Sequence, residues 1–141
     1  MTFKFRAALV TGFALFGIVA PILAHHSFAA EYDSTKTVTV KGTVRKLAWV
    51  NPHAYVYVDV KDASGKVSTW AFESLSPNAL VHGGWNRNSL KEGEEVTVEG
   101  YMAKDGKPLA DGSIHANTRG ITRADGSRVF VGTSGDAVET K

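Results

Sequence analysis

The 141-residue sequence contains no cysteine. This excludes disulfide bonds, a lipid-anchored cysteine and thiolate chemistry, so the folded domain depends on its core alone. The sequence also lacks the HExxH, GxSxG and P-loop motifs that mark zinc proteases, serine hydrolases and nucleotide-binding enzymes. The acidic strand residues Asp59 and Glu73 have no evident partner in the sequence and are expected to be solvated. These features favour a binding or interaction function over an enzymatic one.

Charged residues are absent from positions 7–24, which follow the basic residues Lys4 and Arg6. A basic start followed by an apolar run is typical of a secretory signal peptide. An uncleaved membrane anchor is the alternative, because the run is close to the minimum length for a membrane span. The end of the apolar run favours cleavage after Ala24, although a cut after Ala29 also fits. We therefore expect a periplasmic protein with no stable membrane insertion after cleavage.

The mature chain has no excess of positive charge. Loss of the signal peptide removes Lys4 and Arg6 and no acid, so Lys plus Arg falls from 16 to 14 against 14 acidic residues. Proteins that bind nucleic acid carry a basic patch, and we therefore expect no nucleic-acid partner. A protein partner in the periplasm is compatible with this neutral composition.

Apolar and polar residues alternate through most of the mature chain, a pattern that predicts β-strands. In the first strand, Val38, Val40 and Val44 share one face with Gly42, and the glycine predicts a bulge or bend. The second strand places Val56, Val58 and Val60 on the inner face. The predicted elements are strands at 37–50, 54–60, 67–74, 94–103, 114–124 and 128–132, with a short helix within 76–85.

The helix lies between the third and fourth strands, which is the order of elements in an OB-fold, a small Greek-key barrel. Ser76 and Pro77 suit its first positions, and Gly83 suits a left-handed exit. A β-sandwich gives similar alternation, but the position of the helix favours the barrel. The prediction is an all-β fold with one short helix, an OB-fold-like Greek-key barrel.

The predicted domain organisation has four parts. They are a signal peptide at 1–24, an N-terminal lead-in segment at 25–36, the barrel at 37–132 and a disordered tail at 133–141.

Six segments carry a resemblance to a known family. They are "HHSFAAEYD", "GTVRKLAWVNPHAYVYVDVKD", "WAFESLSPNAL", "GWNRNSLKEGEEVTVEGYMAKDG", "ANTRGIT" and "ADGSRVFVG". Together they resemble a family of exported bacterial proteins catalogued as domain of unknown function 6152. The resemblance covers residues 25 to about 132 and implies export and one small β-rich domain, but no activity. The sequence departs from the pattern of this family at His-Gly-Gly (82–84), where bulkier or basic residues are expected before the tryptophan.

Two adjacent histidines, His25 and His26, begin the mature chain if cleavage follows Ala24. A free amine, two imidazoles and a backbone amide offer the nitrogen ligands that suit Cu(II). The alternative is that both histidines belong to a polar tail. Copper is therefore the candidate cofactor.

Two further histidines are candidate copper ligands. His53 lies in the turn between the first two strands, and His115 begins the fifth strand. The loops that carry them lie on the same side of an OB-fold, where ligands bind, so these side chains can approach each other. The alternatives are a histidine that stabilises the turn for His53 and a polar residue at a strand edge for His115.

Aromatic residues are concentrated on the first three strands. Such residues bind ligands on OB-fold surfaces, but they also fill the core of small barrels. Tyr55 and Tyr57 lie on the face opposite the strand-two valines, and that face is either open to a small aromatic or sugar ligand or covered by Phe28 and Tyr32. The candidate ligand-binding residues are Trp49, Tyr55, Tyr57 and Trp70.

Overall fold

The structure is a computed structural model that describes residues 28–131. The predicted signal peptide, His25, His26 and the predicted tail at 133–141 lie outside the described residues. Within residues 28–131, no helix combines the length and apolar character needed to cross a membrane. The elements are α1 (Phe28–Glu31), β1 (Tyr32–Ala48), β2 (Tyr55–Lys61), β3 (Val67–Glu73), α2 (Pro77–His82), β4 (Glu95–Ala103), β5 (Ile114–Arg123) and β6 (Arg128–Val131).

The first five strands form a closed barrel. β1 pairs antiparallel with β4 through its first part and with β2 through its last part. The β2–β3 and β4–β5 pairs are also antiparallel, and β6 adds to β5. A parallel pairing of β3 with β5, from Trp70↔Ile114 to Glu73↔Asn117, closes the barrel. The predicted OB-fold-like barrel with one short helix between the third and fourth strands is confirmed.

Gly42, where the sequence predicts a bulge or bend, lies where β1 passes from β4 to β2, but the register shift of β1 falls between Val44 and Lys46. Gly42 pairs with Val96, and the next residue, Thr43, pairs with both Glu95 and Asp59. A Cβ atom at position 42 would lie 2.4 Å from the Asp59 carbonyl oxygen. Glycine is therefore required here by the close approach of two strands.

Apolar side chains from all five barrel strands fill the interior. Val56 and Val58 are fully buried as predicted, while Val60 is half-buried against the same core. Burial of each such side chain contributes about 1.5–3 kcal/mol. The larger buried core residues are Val44, Val56, Val58, Phe72, Leu80, Trp85, Leu90, Val96, Val98 and Ile121.

The short helix α2 begins as predicted but ends differently. The Ser76 hydroxyl accepts a hydrogen bond from the Ala79 amide at 3.3 Å, and Pro77 is the first helical residue. Gly83 has a φ of −80°, whereas Gly84 has a φ of +84°. The left-handed residue is therefore Gly84, one position later than predicted.

The lead-in segment is shorter than predicted, because β1 begins at Tyr32 and not at residue 37. The pairing of β1 with β4 shifts register between Tyr32 and Thr37, and this irregularity interrupts the period-two pattern. Tyr32 is only 2% exposed. Part of the predicted lead-in segment therefore belongs to the barrel.

Candidate functional site

Glu73 places a buried carboxylate at the end of β3, where the barrel closes. It pairs with Tyr55 of β2 and with Asn117 of β5, and it is 4% exposed. Its Oε2 atom accepts hydrogen bonds from the hydroxyls of Tyr32 at 2.6 Å and Tyr55 at 3.0 Å. Its Oε1 atom lies 2.7 Å from Nδ1 of His53. The expectation that Glu73 is solvated is wrong, because the start of β1 and the β1–β2 loop cover the outer face of β3 here.

Electrostatics keep this carboxylate ionised. Burial alone would raise the pKa of Glu73, but the adjacent His115 ring, the hydrogen bond from Tyr32 and the charge of His53 outweigh it. The pKa of Glu73 is therefore below its usual value. Burial, followed by the nearby charge of Glu73, raises the pKa values of Tyr32 and Tyr55, so both hydroxyls remain protonated.

His115 reaches the same carboxylate through Tyr32. Its Nε2 atom lies 2.8 Å from the Tyr32 hydroxyl oxygen and 3.6 Å from Oε2 of Glu73. Ionised Glu73 can only accept hydrogen bonds, so Tyr32 donates its single hydroxyl hydrogen to Glu73. Tyr32 must then accept from His115, which assigns a hydrogen to Nε2 of that ring.

The short helix α1 brings a second carboxylate to this region. Phe28 stacks on Tyr32 and meets Tyr101 edge-on, both with ring centroids 5.5 Å apart. Glu31, at the end of α1, is half-buried, and its carboxylate lies within 4.8 Å of ligand atoms of both Glu73 and His115. We refer to this group as the barrel-end site; its members are Glu31, Tyr32, His53, Tyr55, Glu73 and His115.

A small pocket connects the barrel-end site to the surface. Its volume is about 270 Å³, and Glu31 and His115 form part of its wall. The end of β4 and the residues after it form the opposite wall, where Lys104 donates a hydrogen bond to the Ala29 carbonyl. A small ligand in this pocket would contact an imidazole and a carboxylate.

The structure brings together some of the predicted site residues. His53 and His115 both contact Glu73, one on each carboxylate oxygen, and Tyr55 donates to the same group. Tyr32 is a candidate from the sequence to cover the face that carries Tyr55 and Tyr57. Its hydroxyl donates to the same Glu73 oxygen as the hydroxyl of Tyr55. His25 and His26 lie outside the described residues.

The two predicted ligand-binding tryptophans, Trp70 and Trp49, lie elsewhere. Trp70 stacks on Phe72 against the core, with ring centroids 5.7 Å apart. Trp49 also packs against the core and has the Arg87 guanidinium 5.9 Å from its ring centroid. These two tryptophans therefore form no common binding face with Tyr55.

Tyr57 lines a second, larger cleft on the outer face of the barrel. This cleft has a volume of about 740 Å³, and Lys46 lies 4.2 Å above the Tyr57 ring. Burial and then the charge of Asp111 raise the pKa of Tyr57. Arg45, in the same cleft, is 3.4 Å from Asp59, and the charge of Lys46 acts on Asp111. Lys46 and Arg45 therefore both already have anionic neighbours.

Sequence reasoning missed Glu31 and Glu73 as site residues. The only signal for Glu73 is its place at the end of an apolar stretch, directly after Phe72. Glu31 has no pattern of its own, because its position depends on a four-residue helix.

The fold and site define a small OB-type barrel with an acidic, histidine-containing site at one end. Residues 14–112 match a family of unknown function, DUF6152, and the chain belongs to this family. The match includes every residue of the barrel-end site except His115. No curated protein matches the chain. Among solved structures, it is similar to Rim1, a mitochondrial single-stranded DNA binding protein from S. cerevisiae, with 12% identity, a TM-score of 0.48 and coverage of 63% of this chain and 94% of Rim1.

Proposed function

We propose that the chain is an exported periplasmic binding module that binds a cationic ligand at the barrel-end site. One observation carries the proposal, namely the position of Glu31 beside ionised Glu73. Among residues 28–131, the Glu31 carboxylate has no hydrogen-bond or ion-pair partner. Two carboxylates that are close together and partly removed from water repel each other, and a bound cation relieves that repulsion.

The chemistry of Glu73 supports binding more than catalysis. An effective general base has a pKa near the working pH, whereas the pKa of Glu73 is lowered by its hydrogen-bond donors. These donors also occupy both of its oxygens. Glu73 is therefore suited to stabilise a positive charge and poorly suited to abstract a proton.

Export is supported by the signal-peptide pattern at 1–24 and by the family resemblance. A metal-free interaction with a periplasmic protein is the alternative function. A small aromatic or sugar ligand in the cleft beside Tyr57 is a further alternative, supported by the size of that cleft.

Binding of Cu(II) by the N-terminal histidines is a second candidate function, favoured by the position of Phe28. The Phe28 ring packs on Tyr32 at the barrel-end site. His25 precedes Phe28 by three residues, and an extended chain of that length spans about 10 Å. The amine and imidazoles of the mature N-terminus are thus close enough along the chain to meet His115.

The copper candidate has its own test. One residue added before His25 moves the free amine away from the His25 imidazole. This extension should weaken Cu(II) binding, with no change in the melting temperature of the metal-free protein. Equal Cu(II) affinity of the two forms would contradict ligation by the amine.

The proposed function is tested by NMR titration of the exported protein, freed of metal with a chelator. Zn(II), Mg(II) and tetramethylammonium ions serve as diamagnetic cations, and Cu(II) is detected by line broadening. We expect at least one cation to perturb the signals of Glu31 and His115 and to bind at least about tenfold more weakly to Glu31→Gln. Glu92→Gln, an exposed site elsewhere, is the matched control. If no cation perturbs the barrel-end signals, the proposal is wrong.

A further inference from the structure

Resting on the proposed function, we infer that the cationic ligand is a divalent first-row transition-metal ion, Cu(II) or Zn(II), ligated by Glu31, Glu73 and His115. One ligand atom from each of these residues lies within 4.8 Å of the other two. The three residues come from α1, β3 and β5, so only the folded barrel assembles the set.

The types of ligand atom select the metal. Imidazole suits copper, zinc, iron and nickel, whereas purely oxygen sites suit magnesium and calcium. Two carboxylates neutralise a dipositive ion, and the sequence has no thiolate to favour softer metals. A mixed site with one nitrogen and two oxygens therefore favours Cu(II) or Zn(II) over Mg(II).

The distances are close to those of an occupied site. Ligand atoms at about 2.0–2.2 Å from one metal ion lie about 3–4 Å from each other. The 3.6 Å between Nε2 of His115 and Oε2 of Glu73 is already within that range. The Glu31 side chain must move to bring its carboxylate within the same range of the other two ligand atoms. No partner within residues 28–131 restrains that side chain.

Neighbouring residues hold the ligands in place. His53 contacts Oε1 of Glu73, which leaves Oε2 directed towards His115, and Tyr55 donates to Oε2. Partners of this kind orient metal ligands and typically change affinity 10–100-fold when removed. Ligation through Nε2 of His115 requires that ring to carry its hydrogen on Nδ1. The metal bond then replaces the Tyr32–His115 hydrogen bond. It also replaces one of the two hydroxyl hydrogen bonds on Oε2 of Glu73, because that oxygen already accepts from both Tyr32 and Tyr55.

The adjacent pocket gives the ion a route and room for water. Glu31 and His115 line its wall, and its volume of about 270 Å³ exceeds that of a few water molecules. Three protein ligands and one water molecule complete the usual tetrahedral arrangement of an accessible zinc site.

Isothermal titration of the chelator-treated protein with Zn(II), Cu(II) and Mg(II) tests this inference. We expect one Zn(II) or Cu(II) ion per barrel-end site and no comparable binding of Mg(II). Both Glu31→Gln and His115→Ala should weaken Zn(II) binding at least about tenfold. Glu92→Gln and His82→Ala are matched controls, because both side chains are exposed and neither belongs to the barrel-end site. If His115→Ala fails to fold, the Zn(II) affinity of Glu31→Gln decides the test, because Glu31 is only half-buried.

Four results separate the possible failures. If Glu31→Gln binds Zn(II) and Cu(II) as the wild type does, the assigned ligand set is wrong. If only His25→Ala or His26→Ala abolishes binding, the metal site is at the N-terminus and the inference is overturned. If tetramethylammonium binds and neither metal does, the metal inference fails while the proposed function stands. Absence of binding by every cation rejects both.

Discussion

His53 links the surface to Glu73 at the buried end of the barrel. Nδ1 of His53 lies 2.7 Å from Oε1 of Glu73, with the histidine side chain 28% exposed and the glutamate side chain 5% exposed. His115, on the other side of the carboxylate, is 9% exposed. The two histidines thus differ in access to water although they share one carboxylate.

Replacement of Tyr32 by phenylalanine should destabilise the protein by about 1–3 kcal/mol, because Glu73 and His115 each lose a buried partner. Urea unfolding followed by circular dichroism measures the change. Tyr101→Phe is the control, since its hydroxyl makes no hydrogen bond within residues 28–131. Equal destabilisation by the two variants would show that the buried hydroxyl has no special role.

Acid should reduce stability through Glu73. Its folded-state pKa is below the usual 4.5, so the ionised group stabilises the fold above that pH. This contribution is lost as the pH falls through the lowered folded-state pKa. Glu73→Gln should therefore be less stable than the wild type at pH 7, and the difference should narrow towards pH 3. Melting temperatures across this range provide the measurement, and a constant difference would contradict the assigned ionisation.

Replacement of Gly42 by alanine should cost about 1–3 kcal/mol, since the new Cβ would lie 2.4 Å from the Asp59 carbonyl oxygen and 2.7 Å from Val58. Gly83→Ala is the control, because its Cβ would have no neighbour closer than 3.4 Å and its φ is −80°. Chemical denaturation of the two variants makes the comparison. An equally small effect at both positions would contradict the steric requirement for glycine at position 42.

We predict that signal-peptide cleavage leaves a mature chain that begins at His25. The apolar run ends at Ala24, so signal-peptide cleavage is expected between these residues. N-terminal sequencing of the protein from the periplasmic fraction should give His-His-Ser. A sequence that begins at Ala30 would remove both histidines and with them the N-terminal copper candidate.

The barrel could be predicted because its strands alternate regularly and its helix has clear capping residues. Ser76, Pro77 and the valines of β2 each follow a local rule, and the structure agrees with these rules. The start of β1 could not be predicted, because the register shift after Tyr32 interrupts the period.

The candidate site was predictable only in part. Loop positions in an OB-fold suggested that His53 and His115 approach each other, and both contact Glu73 in the structure. The carboxylates were missed because their burial depends on β3–β5 closure and on a four-residue helix. Such long-range contacts leave no local pattern in a single sequence.

The parallel pairing of β3 with β5 brings Glu73 and His115 close together, and their contacts with Tyr32 limit the order of events during folding. Hydrogen bonds of Tyr32 span 41 residues to Glu73 and 83 residues to His115. Contacts between such distant positions form slowly, because a long loop must close before they are gained, and β-barrels of this kind fold in milliseconds to seconds. The nascent chain cannot assemble the barrel-end site until β5 has been synthesised. Recovery of the Tyr32–His115 contact in a refolding experiment would therefore report the moment of barrel closure.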